Sequence, residues 1–419
     1  MLEGSGAFAN PVPVLMHSYW SVIRAFMEPV DSTERDALKP EHSPAQFGGD
    51  QAASPPVVSD AGSPGQRSAV KTGAWVLRFL LALFLFVGAL QVMKTGAGGL
   101  DVLKGGGLLV KNAASTLGLG WLGALLVLSG SPIAASALTL VAAGSISETE
   151  GFTMLTGSRL GAAFVVLLVA VIYALRGGSG ERLKPVSTAV IAILTTMIVY
   201  IPGSIIGIFL LKSSPFNQLD LQFPASFSDL IDVVYGGLLD RIESWPPLLL
   251  FVGGLGILLV SFKLIDQVVP EVSEEKIESS RLSWLKKKWP MFGLGSLVAL
   301  VTMSVSVALT VLVPLVTKKY VKREHIVPYI MGANITTLGD TLLAAFLLDN
   351  AATVRIVIAS IVGSTIVSLV ILGFFYPQVR SRIWRLHRQM VKSKVRLAAF
   401  TAGLFMVPVA TIGIAGILG

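Results

Sequence analysis

Two short polar segments interrupt apolar stretches of this sequence and are the first candidates for chemistry. They are Ser129-Gly130-Ser131, followed by a proline, and Ser304-Val305-Ser306. Glycine and proline predict a break in a helix, and a break frees backbone groups beside the hydroxyls. The start of a half-helix suits an anion, whereas freed carbonyls and hydroxyls suit a hard cation such as sodium. The alternative is that these serines only let helices pack closely in lipid.

A second polar set lies near residue 335, in another apolar stretch. Its members recur at helical spacing: Asn334, Thr336, Thr337, Asp340 and Thr341. Asn334, Thr337 and Thr341 stand at i, i+3 and i+7, so they share one helical face. Thr336 and Asp340 stand at i and i+4 and share a neighbouring face. This cluster predicts a substrate or ion site on a helix.

Arg159 and Asp340 are ionisable residues inside predicted membrane segments. Such residues are costly in lipid and by default mark a functional site, although residues near the interface or paired with each other serve structure instead. Arg159 needs a partner because arginine does not lose its proton. That partner is either Asp340 or an anionic substrate held by two parallel hydrogen bonds. From the sequence alone, we favour the anionic substrate as the partner of Arg159.

The composition places these residues in a membrane protein. Of 419 residues, 53% are hydrophobic and 14% charged, against about 25% charged in a soluble domain. Mean hydropathy is +0.74. The net charge of +8 is explained by basic cytoplasmic loops, so no nucleic-acid partner is expected. The chain has no cysteine, and its four histidines lie outside the predicted membrane segments. We therefore expect no enzymatic activity and no cofactor.

Apolar stretches of about 20 residues are long enough to cross a bilayer as helices. Seven crossings are predicted, at 73–92, 151–175, 186–211, 246–264, 326–348, 354–376 and 395–418. Two more apolar stretches, 118–144 and 291–316, contain the serine breaks and are predicted to be re-entrant hairpins. Residues 1–70 are rich in Pro, Gly and Ser, which predicts a disordered cytoplasmic tail.

The chain matches itself at a shift of 175 residues. Gly118-Leu119-Gly120 falls on Gly293-Leu294-Gly295, the two serine pairs coincide, and Gly157 falls on Gly332. The predicted divisions are a first repeat at 71–211, an extracytoplasmic loop at 212–245, a second repeat at 246–376, and a basic linker with a final transmembrane helix at 377–419. With the hairpins in place, the basic segments share one side, taken as cytoplasmic, and the repeats have opposite orientations. The predicted fold is therefore an all-α membrane protein of the inverted-repeat transporter class, with its site near the midplane.

These motifs resemble those of the type II sodium/phosphate cotransporter family over roughly residues 75–375. GANITT at 332–337 is close to that family's Gly-Ala-Asn-Ile-Gly-Thr-Thr stretch, and GSRLGA at 157–162 is a weaker match. LFLFVGALQVM at 83–93 and LLFVGGLGILL at 249–259 resemble the family's opening helices. The family's Gln-Ser-Ser-Ser signature is replaced by Leu-Ser-Gly-Ser at 128–131 and Met-Ser-Val-Ser at 303–306, and Arg159 stands for the first Asn.

The resemblance implies a sodium-coupled symporter of a small inorganic anion, with phosphate as the first expectation. The residues predicted to bind substrate or ion are both serine pairs, Arg159 and the second polar set, with sodium held through Ser131, Ser306 and Thr337. A multi-pass protein of the cell membrane with a cytoplasmic N-terminus is expected, and a homodimer is one assembly we consider. Two alternatives stay open: the same fold moving another solute with proton coupling through Asp340, or a non-transporting receptor or assembly protein.

Overall fold

The computed structural model describes most of the chain from residue 64 onward. The described residues are 64–100, 110, 112–176, 183–218, 221, 225–268, 287–303, 308 and 325–418. The predicted tail before residue 64 lies outside them, as do Ser304 and Ser306.

The regular elements of the described part are helices. In chain order they are α1 Pro64–Gly98, α2 Ala113–Val127, α3 Ser131–Ala142, α4 Glu148–Arg176, α5 Leu183–Lys212, α6 Ser214–Asn217, α7 Ala225–Ile242, α8 Pro247–Val268, α9 Lys288–Thr302, α10 Ile326–Thr336, α11 Gly339–Leu347, α12 Ala351–Val370, a π-helix Ile371–Phe375, α13 Tyr376–Val391 and α14 Lys394–Leu418. Among the described residues, seven spans are long and apolar enough to cross a membrane. The prediction of a helical, multi-pass membrane protein is confirmed.

The first predicted helix break is present. Asn112 caps the start of α2, accepting hydrogen bonds from the backbone of residues 114 and 115. The helix ends at Val127, and Leu128 takes a left-handed conformation with φ of 56°. The chain then turns and begins α3 at Ser131, with a proline in its first turn, where the missing N–H costs no helical hydrogen bond.

The second predicted break begins in the same way. α9 has the same length as α2, 15 residues, and both of its ends fall 175 positions later. Met303 takes a left-handed conformation with φ of 46°, matching Leu128. For residues other than glycine this conformation costs roughly 1–2 kcal/mol. The two helices therefore end in the same unusual way at equivalent positions.

Close glycine contacts are repeated at the same shift. A Cβ on Gly157 would lie 2.0 Å from the Leu117 carbonyl oxygen, and one on Gly332 would lie 2.1 Å from that of Phe292. A Cβ on Gly120 would lie 2.0 Å from the Met154 carbonyl oxygen, and one on Gly295 would lie 2.0 Å from that of Tyr329. α2 therefore packs on α4 as α9 packs on α10, with backbones in contact where glycine leaves room.

The first helices of the two predicted repeats, α1 and α8, pack antiparallel. The Ser261 hydroxyl donates to the Ala82 carbonyl at 2.7 Å. At the other end of the contact, a Cβ on Gly96 would lie 2.5 Å from the Phe251 nitrogen. α5 and α12 meet as closely, since a Cβ on Gly363 would lie 2.3 Å from the Gly203 oxygen. In both helix pairs the backbones are therefore in direct contact.

The structure differs from the sequence prediction at four places. α1 begins at Pro64, inside the predicted tail. The connector 212–245, expected as a loop, contains helices α6 and α7. The crossing at 326–348 is divided into α10 and α11. Finally, the chain is continuously helical from α12 through the π-helix to α13. The crossing predicted to end at residue 376 therefore continues as helix through the basic linker to Val391.

Candidate functional site

Arg159 and Asp340 lie next to each other in the interior of the bundle. Arg159 Nη2 is 3.7 Å from Asp340 Oδ1, and the two side chains are 2% and 4% exposed. The same Nη2 donates a hydrogen bond to the Thr341 hydroxyl. That hydroxyl in turn donates to Asp340 Oδ1 at 2.8 Å. Asp340, one of the two partners considered on the sequence, therefore lies beside Arg159, and Thr341 bridges the two side chains.

The break between α10 and α11 positions this carboxylate. Asp340 stands in the first turn of α11, where a helix carries partial positive charge and unpaired N–H groups. The Thr341 backbone N–H contributes a hydrogen bond to it. A continuous helix would have offered no such donor, so the break helps to accommodate a buried charge.

The first serine break reaches the same place. The side chain of Ser131, the first residue of α3, lies beside the Asp340 carboxylate. Ser129 lies in the break itself and is partly buried. Four residues predicted from sequence thus meet at one centre: Ser131, Arg159, Asp340 and Thr341. We call these four residues the charged centre.

The other predicted residues link helices to one another. Asn334 donates through Nδ2 to the Thr196 hydroxyl at 3.1 Å, and its carbonyl accepts from the Tyr200 hydroxyl at 2.6 Å. Thr337 donates to that same carbonyl at 3.2 Å. These contacts join α10 to α5. Tyr200 and Thr196 were not predicted, since a lone Tyr or Thr in an apolar stretch gives no signal above ordinary helix packing.

Thr336 points to a different neighbour. Its hydroxyl donates to the Ser296 carbonyl at 2.8 Å and thereby ties α10 to α9. Of the three predicted sodium ligands, Ser131 lies beside Asp340 and Thr337 donates to the Asn334 carbonyl. The third, Ser306, lies outside the described residues, so the sodium site stays a prediction. Within the described ranges, no group of three or more His, Asp or Glu side chains is arranged to hold a metal ion.

Two polar atoms of the charged centre have no hydrogen-bond partner among the described residues. They are Arg159 Nε and Asp340 Oδ2, and both are fully buried. A buried charged group left without a hydrogen bond costs more than about 1–3 kcal/mol. Such groups persist where a ligand or ion completes them, which makes this centre the candidate site.

A cavity adjoins Asp340. It has a volume of about 60 Å³ and a mostly apolar wall that includes Phe86 and Phe262. Its two acidic lining residues are Asp340 and Asp266, the latter exposed near the end of α8. A space of this size holds a water or a small ion, and an acidic lining favours a cation over an anion. Asp266 was not predicted, because it stands beside a charged connector and resembles an interfacial residue.

Comparison with known proteins adds no family to this picture. No protein-family model, no curated protein and no solved structure matches the chain.

Proposed function

We propose that this protein is a secondary active transporter built from two inverted repeats. The observation that carries the proposal is the charged centre, a buried Arg159–Asp340 pair at the point where a broken helix of one half meets a divided helix of the other. Ionisable residues deep in a membrane bundle mark transport sites more often than they serve packing. Broken helices at membrane depth are likewise a common feature of transporter sites.

The repeated packing supports the inverted arrangement. The glycine contacts between α2 and α4 match those between α9 and α10. In addition, α2 and α9 are each followed by a residue in the left-handed conformation. The opening helices α1 and α8 are antiparallel, as repeats of opposite orientation require. In this proposal, α2 with α3 forms one re-entrant hairpin, and α9 begins the other. Alternating access then follows from one repeat moving against the other around the charged centre.

The substrate we assign is a small inorganic anion, with phosphate first and sodium as the coupling ion. Arg159 can hold an oxyanion through two parallel hydrogen bonds. The start of α3 at Ser131 supplies the partial positive charge that such a ligand needs. An anion would compete with Asp340 for the guanidinium, so something must neutralise Asp340 when the anion binds.

A second candidate for the coupling ion is the proton. Asp340 Oδ2 is unpaired among the described residues and Asp340 lines the acidic cavity that also contains Asp266. A proton on Asp340 would cancel its charge and leave Arg159 free for the anion. Sodium bound at the same carboxylate would have the same effect. Either ion therefore couples to the anion through one arginine, and the two candidates differ only in which cation reaches Asp340.

Uptake of labelled phosphate into proteoliposomes tests this function. We expect uptake to rise under an inward sodium gradient or an inward proton gradient, and to stay at background with neither. Asp266→Asn should reduce the stimulated rate, because the charge at the mouth of the cavity attracts the cation. Asp240→Asn, an exposed acidic residue of α7 that does not line the cavity, is the matched control and should leave the rate unchanged.

Two outcomes would contradict the proposal. Background uptake of phosphate and of other small oxyanions under both gradients would indicate a non-transporting membrane protein. Stimulation that is equal in wild type and Asp266→Asn would remove the acidic cavity from the coupling path.

Single cysteines test the hairpin formed by α2 and α3. The chain contains no cysteine, so each introduced thiol is the only one. Cysteines replacing Ala114 and Ser147, exposed residues at the two ends of this segment, should react with an impermeant reagent from the same, extracytoplasmic side. A cysteine replacing Arg385 should react only from the cytoplasmic side. Labelling of residues 114 and 147 from opposite sides would show that the segment crosses the membrane.

A further inference from the structure

One continuous helix extends well beyond the bilayer. Residues Ala351–Val391 form a single helical span of 41 residues. At 1.5 Å per residue this is about 60 Å, roughly twice the hydrocarbon thickness. Its last part, α13, is strongly amphipathic. The α13 residues that are basic and exposed are Arg382, Arg385 and Arg388. α13 therefore lies at the membrane surface or beyond it, with positive charge facing out.

A groove opens where this helix leaves the apolar region. It measures about 510 Å³ and is lined by Ile371, Phe375, Gln378, Val379 and Arg382. Ile371 and Phe375 lie at the end toward the membrane, and Gln378, Val379 and Arg382 lie about one to two turns further along. Phe374, beside the groove, is 78% exposed. An apolar wall below a guanidinium matches a molecule with a hydrocarbon tail and an anionic head.

The π-helix contributes two residues to this groove, Ile371 and Phe375. Its wider turn frees the Leu372 carbonyl, which accepts a hydrogen bond from Lys288 Nζ. The same ammonium lies 5.9 Å from the ring centres of Trp289 and Tyr376. Trp and Tyr are enriched at membrane–water interfaces, which places this level of the structure at the headgroups. Lys288, which belongs to α9, thus places a second positive charge against the π-helix, whose Ile371 and Phe375 line the groove.

The opposite face of α13 is held against the bundle. Ile383 and His387 are buried, and His387 Nε2 is 2.6 Å from the Ser187 hydroxyl of α5. Because this face is fixed, the face with Arg382 and Arg385 must point away from the protein.

We propose that this groove is a binding site for an anionic phospholipid such as phosphatidylglycerol. The acyl chain lies along Ile371, Phe375 and Val379, and the headgroup phosphate contacts Arg382 and Gln378. Charge complementarity selects the lipid, since a zwitterionic headgroup cancels its own phosphate charge and gains less beside several cations. Lipid binding in this groove does not depend on which solute the protein transports.

The test is lipid titration of the delipidated, full-length protein, followed by native mass spectrometry. We expect phosphatidylglycerol to bind several-fold more tightly than phosphatidylcholine with the same acyl chains. Arg382→Gln should weaken phosphatidylglycerol binding about fivefold, the typical contribution of one basic residue near a membrane surface. Arg382→Lys should retain most of the affinity. Arg78→Gln, an exposed arginine on α1 that does not line the groove, is the control and should bind as wild type.

Three results would overturn the proposal. These are equal affinity for the two lipids, an unchanged affinity in Arg382→Gln, and displacement of the lipid by millimolar inorganic phosphate, which would identify a site for free anions. Arg382 is exposed, so unchanged thermal unfolding of the variant is expected and serves as the check on folding.

Discussion

Arg159→Gln and Asp340→Asn are each expected to destabilise the protein strongly, and the double variant is expected to recover much of the loss. Each single change leaves one buried charge without its partner, which costs about 3–5 kcal/mol. The double change removes both charges and leaves two neutral amides that can hydrogen-bond to each other and to Thr341. Thermal unfolding of the four proteins in one detergent gives the coupling energy directly.

The ion pair between Glu148 and Arg355 is the matched control. It also joins two helices, α4 and α12, but its side chains are 32% and 16% exposed. A solvent-accessible pair contributes about 0–1 kcal/mol, so Glu148→Gln and Arg355→Gln should show small losses and little coupling. If the Arg159–Asp340 coupling is no larger than this control, the buried pair does not hold the centre together. Arg159 would then be reserved for a ligand, as the sequence alone suggested.

The same variants separate stability from transport. The double variant should fold but show no gradient-driven uptake, because neither the anion-binding guanidinium nor the cation-binding carboxylate remains. Uptake at wild-type rate by the double variant would place the transport site elsewhere in the bundle.

Gly157→Ala and Gly332→Ala are expected to destabilise the protein by similar, large amounts. In both, the new Cβ would overlap a backbone carbonyl, at 2.0 Å from Leu117 and 2.1 Å from Phe292. Backbone atoms cannot turn aside as side chains do, so the two helices must separate. Overpacking of this kind typically costs about 1–3 kcal/mol and sometimes more. Intrinsic tryptophan fluorescence during heating provides the measurement.

Gly403→Ala on α14 is the control for this pair. Among the described residues, no atom outside its own helix lies within 4 Å of the added Cβ, so the change should be neutral or slightly stabilising. Alanine favours helix by about 1 kcal/mol over glycine. Loss of stability at residue 157 but not at 332 would show that the two halves do not share this packing, and would weaken the proposed duplication.

The sequence by itself determined the class of protein and the positions of most helices. Apolar length is a local property, and helices of about 20 apolar residues are forced by the need to satisfy backbone groups in lipid. The break after Val127 was equally readable, because glycine and proline disfavour helix wherever they occur. The rarity of charge in apolar stretches singled out Arg159 and Asp340 before any contact was known.

Tertiary structure alone decided which of these residues meet. Arg159 and Asp340 are far apart in sequence, and their contact depends on how α4 and α11 pack, which no local pattern records. Helical spacing placed Asn334 and Thr341 on one face, but the division between α10 and α11 rotates that face. Asn334 therefore faces α5, while Thr341 faces Arg159. The π-helix before Tyr376 was equally invisible in sequence, since the freed Leu372 carbonyl is satisfied by Lys288, a residue from another helix.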